Sequence, residues 1–107
     1  MTLRPWQEHP AARDEYLDAV IWYENQDTGL GARLADHLDY AVDFARQWPE
    51  AAPLYRGRRR LPQIRRKGVD LFPYGIIYFV RDDTLTVVAY AHSKRRPDYW
   101  RSRLRDL

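Results

Sequence analysis

The sequence predicts an α+β fold: an N-terminal helical hairpin packed on one face of a small three- to four-stranded, mainly antiparallel sheet, closed by a short C-terminal helix. Three observations carry this. Residues 10–47 hold two apolar stripes at helical spacing, separated by the glycine-containing segment NQDTGLG. Residues 74–92 hold two strand-like runs, YGIIYFV and TLTVVAYAH, joined by the turn RDDT. Pro97 then precedes Trp100, Leu104 and Leu107, which share one face of a helix.

Local chemistry sets each element. LRPWQ (3–7) is a short edge strand, since an edge tolerates Pro5. His9-Pro10 opens the first helix because proline suits the first helical position, and Asp14 and Glu15 suit the positive end of its dipole. Tyr16, Ala19, Val20 and Tyr23 follow at i, i+3, i+4 and i+7. The second helix runs from about Leu30 to Gln47 on a stripe of Leu34, Leu38, Ala41, Val42 and Ala45, and Trp48-Pro49 ends it. PLYRGRRRLPQ is a basic loop, and IRRKGVDL is a strand broken near Gly68. YGIIYFV is apolar on both parities, as a central buried strand is. In TLTVVAYAH, alternation sends Leu85, Val87, Ala89 and Ala91 towards the helices and leaves Thr84, Thr86, Val88, Tyr90 and His92 on an open face. The aromatics Trp22, Tyr23, Tyr40, Phe44 and Trp48 read as core or interface.

A chain of 107 residues makes one domain (1–107) with a modest core, and its lack of cysteine leaves no disulfide to reinforce it. No run approaches the roughly 18 to 20 apolar residues that span a bilayer, and MTLRPWQEHP has no apolar leader core. A soluble cytoplasmic protein is expected. The net charge of +3 conceals an asymmetry: residues 1–50 carry four arginines against ten carboxylates, net −6, and residues 51–107 carry net +9. Such halves suit a polyanion or an acidic protein as partner of the second half, or two solvated faces that offset each other.

The candidate chemistry lies in YAHSKRRPDYWRSR (90–103), with one histidine, five cations, two tyrosines and a tryptophan. RNA cleavage by a 2′-hydroxyl needs a proton acceptor, a proton donor and cations on the phosphate. His92 and Tyr99 can move protons, and Arg95 or Arg96 can clamp phosphate. The same residues equally make a docking surface, or a strand end with solvated cations. A second basic run, Arg56 to Lys67, suits nucleic acid or an acidic or C-terminal peptide. No metal or cofactor is expected: three scattered histidines give no zinc spacing, and Asp36, Asp39 and Asp43 form a wet helix face. Gly29-x-Gly31 lacks the strand and Gly-Lys-Ser/Thr of a phosphate loop.

The layout, from about residue 8 to 104, resembles the RelE/ParE superfamily of toxins from bacterial type II toxin–antitoxin systems. DEYLDAVIWYENQDTGLGARL matches the hairpin, FPYGIIY the central strand, and VVAYAHSKRRPDYWRSR the last strand and tail. The resemblance implies a growth-inhibiting toxin neutralised by a cognate antitoxin that wraps the hairpin or covers the sheet. RelE-like members cut mRNA in the ribosomal A site; ParE-like members poison DNA gyrase. A nuclease of this family would use His92, Arg95, Arg96 and Tyr99, with Arg65, Arg66 and Lys67 on its second strand. Its central-strand arginine is replaced here by Gly75, which leaves Arg66 or Arg81 as the candidates for the same space. GLG and FPY look ParE-like. The implied target- or antitoxin-facing surface comprises Arg65, Arg66, Lys67, Arg81, Tyr90, Lys94, Trp100 and Arg103.

Overall fold

Residues 10–47 form the two helices that the apolar spacing predicts. In the computed structural model, which describes residues 3–107, β1 (Trp6–Glu8) leads into α1 (Pro10–Gln26) and α2 (Leu30–Gln47), followed by β2 (Arg65–Gly68), β3 (Tyr74–Arg81) and β4 (Thr84–His92). Short 3₁₀ turns lie at Tyr55–Gly57 and Arg101–Asp106. The strands form one sheet in the order β1-β4-β3-β2. β2–β3 and β3–β4 are antiparallel, and β1 runs parallel to β4. The first strand therefore lies slightly later than 3–7. Pro5 sits just before it, where only its carbonyl is used, accepting from the Leu85 N–H at 2.9 Å.

His9 caps α1. Its Nδ1 accepts from the Ala11 N–H at 3.0 Å, so Nε2 carries the proton facing Asp106 at 2.7 Å. Asp14 and Glu15 lie beyond the first turn, so the expected dipole role falls away; Glu15 has another use, described below. At the hairpin turn the Glu24 carboxylate accepts from the N–H groups of Gly29 and Gly31 at 2.9 and 3.0 Å. The two glycines answer different constraints. Gly29 has φ +90°, a left-handed conformation. Gly31 lets the helices close: a Cβ there would lie 2.6 Å from the Val20 carbonyl oxygen.

Both sheet faces are covered. On the helix side Tyr16, Leu34, Leu38 and Val42 pack on Ile76, Tyr78, Leu85, Val87 and Tyr90. On the other side Trp100, from the tail, joins Ile64, Ile77, Phe79, Val88, Ala89 and Ala91, with Leu104 and Leu107 against them. The open face expected from strict alternation does not exist. The cause is a β-bulge: Ile77 pairs with Ala89 but Tyr78 pairs with Val87, leaving Val88 as an extra residue. Beyond it every side chain of β4 changes face. Ala89 and Ala91 turn to the tail, and Tyr90 turns to the helices, 2% exposed. Its ring meets Tyr16 edge-on at 5.3 Å, and its hydroxyl donates to Glu8 at 2.7 Å. Trp100, expected on a partner-facing surface, is 1% exposed and packs edge-on against Tyr55. Neither Tyr90 nor Trp100 is a surface residue. Of the helical aromatics, Tyr23 and Phe44 are half-buried, while Trp22, Tyr40 and Trp48 are exposed and so not core.

Gly31→Ala should destabilise the fold by roughly 1–3 kcal/mol, because the new methyl meets the fixed Val20 carbonyl oxygen first and the Glu24 side chain that closes the turn second. Gly29→Ala should cost about 1 kcal/mol, from backbone conformation alone, since nothing lies within 4 Å of its Cβ position. Urea denaturation of the two variants checks the order; equal losses would show that the helices do not need the close approach at Gly31.

Candidate functional site

The last strand ends at His92, directly across from Tyr74, and the two rings meet edge-on at 5.1 Å. The chain then turns sharply. Lys94 N–H donates to His92 Nδ1, and Arg95 N–H donates to the His92 carbonyl, both at 3.0 Å. The neutral imidazole therefore presents an Nε2 hydrogen outwards. A second turn at 97–100 is held by Asp98, at φ +65°, whose N–H donates to the Tyr55 hydroxyl at 3.1 Å. Its carboxylate lies between Arg58 and Arg101, at 3.2 and 2.9 Å. The hydrogen bond from Arg101 leads the effects that hold Asp98 below the usual carboxylate range.

These turns carry Tyr99 back onto α1. Its hydroxyl donates to Glu15 Oε2 at 2.6 Å. Arg103 grips the same carboxylate with both terminal nitrogens, at 2.8 and 3.1 Å. Tyr90 N–H adds a bond to Glu15 Oε1 at 3.2 Å. The guanidinium groups of Arg95 and Arg103 lie 3.9 and 5.3 Å from the centre of the Tyr99 ring. Burial, and then the Glu15 hydrogen bond, push the Tyr99 hydroxyl well above the ordinary tyrosine value. Burial works against the charge of Arg103, but the Glu15 bond and charge outweigh it and raise that group.

A cleft of about 230 Å³ opens here between α1 and the strand ends. It gathers His92, Arg95 and Tyr99 from the candidate nuclease set, with Tyr74 as a wall and Glu15 and Asp18 on the helix side. Arg96 is exposed and does not line it, and Lys94 is exposed on the turn. The other basic candidates disperse. Strand alternation sends Arg65 and Lys67 of β2 to the helix side: Arg65 donates to the Ala52 carbonyl at 2.7 Å, and Lys67 sits 4.8 Å from the centre of the Phe44 ring. Arg66 goes to the tail side and lies over Gly75, where any Cβ would collide with its guanidinium. Arg81 stacks on Phe79 at the opposite end of β3, six residues from Gly75. At roughly 3.3 Å per residue that is about 20 Å, so Arg81 cannot serve the same space.

The arrangement is poor for handling an RNA phosphate. A phosphate held by His92 and Arg95 would sit beside two carboxylates, and the Tyr99 proton is already given to Glu15, which leaves Tyr74 and the His92 imidazole as the other proton-bearing groups lining the cleft. It suits binding better: one exposed cation stacked on Tyr99, an imidazole N–H, aromatic walls and an acidic side. Glu15 is the residue that reading the chain missed. It had a signal, because with Ala12 and Ala19 it falls at i, i+3 and i+7 on the buried stripe of α1. A carboxylate there needs partners.

No protein-family model matches this chain, and no curated protein matches it. Among solved structures, its fold is similar to a chain described as "Chromosomal ParDE TA system from P. aeruginosa", with a TM-score of 0.66 and 11% sequence identity. The match covers 86% of this chain and 98% of that one. The α+β architecture expected from the sequence is the one that neighbour shares.

Removing the carboxylate strands a nearly buried guanidinium: the side chains of Glu15 and Arg103 are 16% and 15% exposed. Glu15→Ala should cost about 2–4 kcal/mol. The double variant Glu15→Ala/Arg103→Met should recover part of that loss in a thermodynamic cycle; strict additivity would contradict the coupling.

Alkaline pH tests the tyrosines. Burial raises Tyr16 and Tyr78 to about 12, and raises Tyr74, Tyr90 and Tyr99 as well. In the unfolded chain they ionise near 10. Their contribution is thus complete below pH 10 and is lost as pH rises through 10 towards 12 and above. Absorbance at about 295 nm should show these tyrosines ionising only together with loss of the far-UV signal.

Proposed function

We propose that this chain is the toxin of a toxin–antitoxin pair, on the ParE-like side, and that it inhibits growth by binding a protein target, DNA gyrase, rather than by cutting RNA. The observation that carries the choice is the pairing of Tyr99 with Glu15 at 2.6 Å, with Asp18 in the same cleft. A ribonuclease centre needs a free proton donor beside a phosphate-binding cation. Here the Tyr99 hydroxyl is committed to Glu15, and Arg95 shares its cleft with two carboxylates that oppose a phosphate. The toxin reading itself is supported by the fold likeness, which spans 98% of a ParDE-system chain, and by the motifs FPYGIIY and AHSKRRPDYW. In this reading residues 1–107 are a single toxin domain that works in the cytoplasm, and a cognate antitoxin holds it in a heteromeric complex. His92, Lys94, Arg95 and Arg96 then form the exposed turn that meets the target.

One observation favours a second reading. Arg66 fills the space above Gly75, so a cation does stand over the central strand on the tail side. A RelE-like mRNA endonuclease would then use Arg66 with the tail cations, and His92 or Tyr99 for the proton.

Inducible expression without antitoxin separates the two. The gyrase reading expects filamentation, DNA-damage signalling and loss of supercoiling; the nuclease reading expects abrupt translation arrest with cleaved mRNA. Among variants, Arg95→Glu/Arg96→Glu should relieve toxicity about tenfold or more, while His92→Ala and Tyr99→Phe keep it. Loss of toxicity in both His92→Ala and Tyr99→Phe, with antitoxin affinity unchanged, would overturn the gyrase reading.

A further inference from the structure

The basic loop of residues 56–60 does not line the cleft beside α1, and together with Arg101 and Leu104 of the last turn it frames a cleft of its own. It measures about 220 Å³, on the tail side of the sheet. Its floor is Ile64, Leu104 and the Tyr55 ring, and its rim carries Arg58, Arg60 and Arg101. We propose that this cleft is a docking groove for an acidic peptide segment anchored by an aliphatic side chain.

Charge complementarity argues for the acidic occupant. Loop 56–60 holds four arginines and no carboxylate, and the last turn adds Arg101 to the rim. Two of the rim arginines already show what they recognise. Arg58 and Arg101 converge on the Asp98 carboxylate at 3.2 and 2.9 Å, a geometry that an incoming Asp or Glu can repeat with Arg60. Arg60 is exposed and has no ion-pair partner among the described residues. An apolar anchor follows from the lip: Leu61, next to Arg60, is 86% exposed beside a floor that is itself apolar.

Nucleic acid fits the same charge but not the same floor. Single-stranded bases need aromatic faces to stack on. Here the tryptophan is 1% exposed, and Tyr55 is the one aromatic ring in a lining otherwise of leucine, isoleucine, proline and arginine, too few for successive bases to stack on. Extended acidic segments of this kind order on binding, supplying carboxylates to a cation rim and side chains to pockets. The groove does not depend on the toxin reading: a chain that leaves growth untouched can still bind such a peptide.

Fluorescence anisotropy with the purified full chain tests this. The probes are a labelled decapeptide alternating aspartate and leucine, the same peptide with serine for leucine, and a labelled ten-nucleotide single strand. Saturable binding of the leucine peptide is expected, weakened about tenfold or more by Arg60→Glu and by Leu61→Ser. Both positions are exposed, and far-UV circular dichroism verifies that the variants fold. Equal binding of the serine peptide, or no saturable binding of the leucine peptide, overturns the proposal. So does tighter binding of the oligonucleotide that Arg60→Glu abolishes and Leu61→Ser leaves intact.

Discussion

The structure turns on the Glu15 carboxylate. β1 pairs with β4 only at Leu85, Thr86 and Val87. Beyond that point one edge of β4 would present bare backbone groups beneath α1, which a protein interior does not tolerate. Glu15 accepts from the Tyr90 N–H, and Arg103 donates to the Val88 carbonyl at 3.0 Å while gripping Glu15. One ion pair thereby completes the sheet edge. Its partners come from opposite sides of the sheet, the hairpin and the tail, so it also clasps the two layers around the strand end. A buried pair of this kind adds little net stability over an apolar substitute, but it fixes one arrangement of three elements.

The same pair decides what the neighbouring cleft can do. Tyr99 reaches α1 because Glu15 receives its hydroxyl, and its ring is then held between Arg95 and Arg103. A tyrosine so placed is a structural strut. Its proton is shared with a carboxylate, and the Arg103 charge is neutralised by that carboxylate. What remains free is the exposed turn with Lys94, Arg95 and Arg96, and an imidazole whose orientation is set by the Lys94 backbone.

Much of this was legible in the chain. The hairpin, its GLG turn and the three antiparallel strands follow from spacing and turn chemistry, and the tail stripe of Trp100, Leu104 and Leu107 was visible as one face. The bulge was not. Val87-Val88 lies in an unbroken apolar run, and no glycine or asparagine marks an extra residue, so alternation runs through it without contradiction and puts Tyr90 on the wrong side. A consistency argument was available. YGIIYFV is apolar on both parities, and such a strand needs cover on both faces. The tail stripe is the only remaining apolar element to supply it, which buries Trp100 and closes the face that alternation left open. That a cation could fill the space at Gly75 was legible, but the choice of Arg66 over Arg81 was not, because it depends on the cross-strand register of β2, which four mostly charged residues do not specify.

The register also explains why the charge asymmetry along the chain becomes an asymmetry in space. The sheet divides the hairpin from the tail and the basic loop, so carboxylates such as Asp14, Asp18, Asp36 and Asp43 lie on the hairpin side. The arginines of loop 56–60 and of the last turn lie on the other. Two pairs cross the divide, Glu15 with Arg103 and His9 with Asp106, and both lie along the β4 edge where the layers must be joined. Elsewhere the separation is incomplete, since Arg95 shares the α1 cleft with Asp18, and Arg65 and Lys67 lie on the helix side, and across the surface such charges are screened beyond about 8–10 Å. Such a molecule carries a field that orients any charged partner before contact.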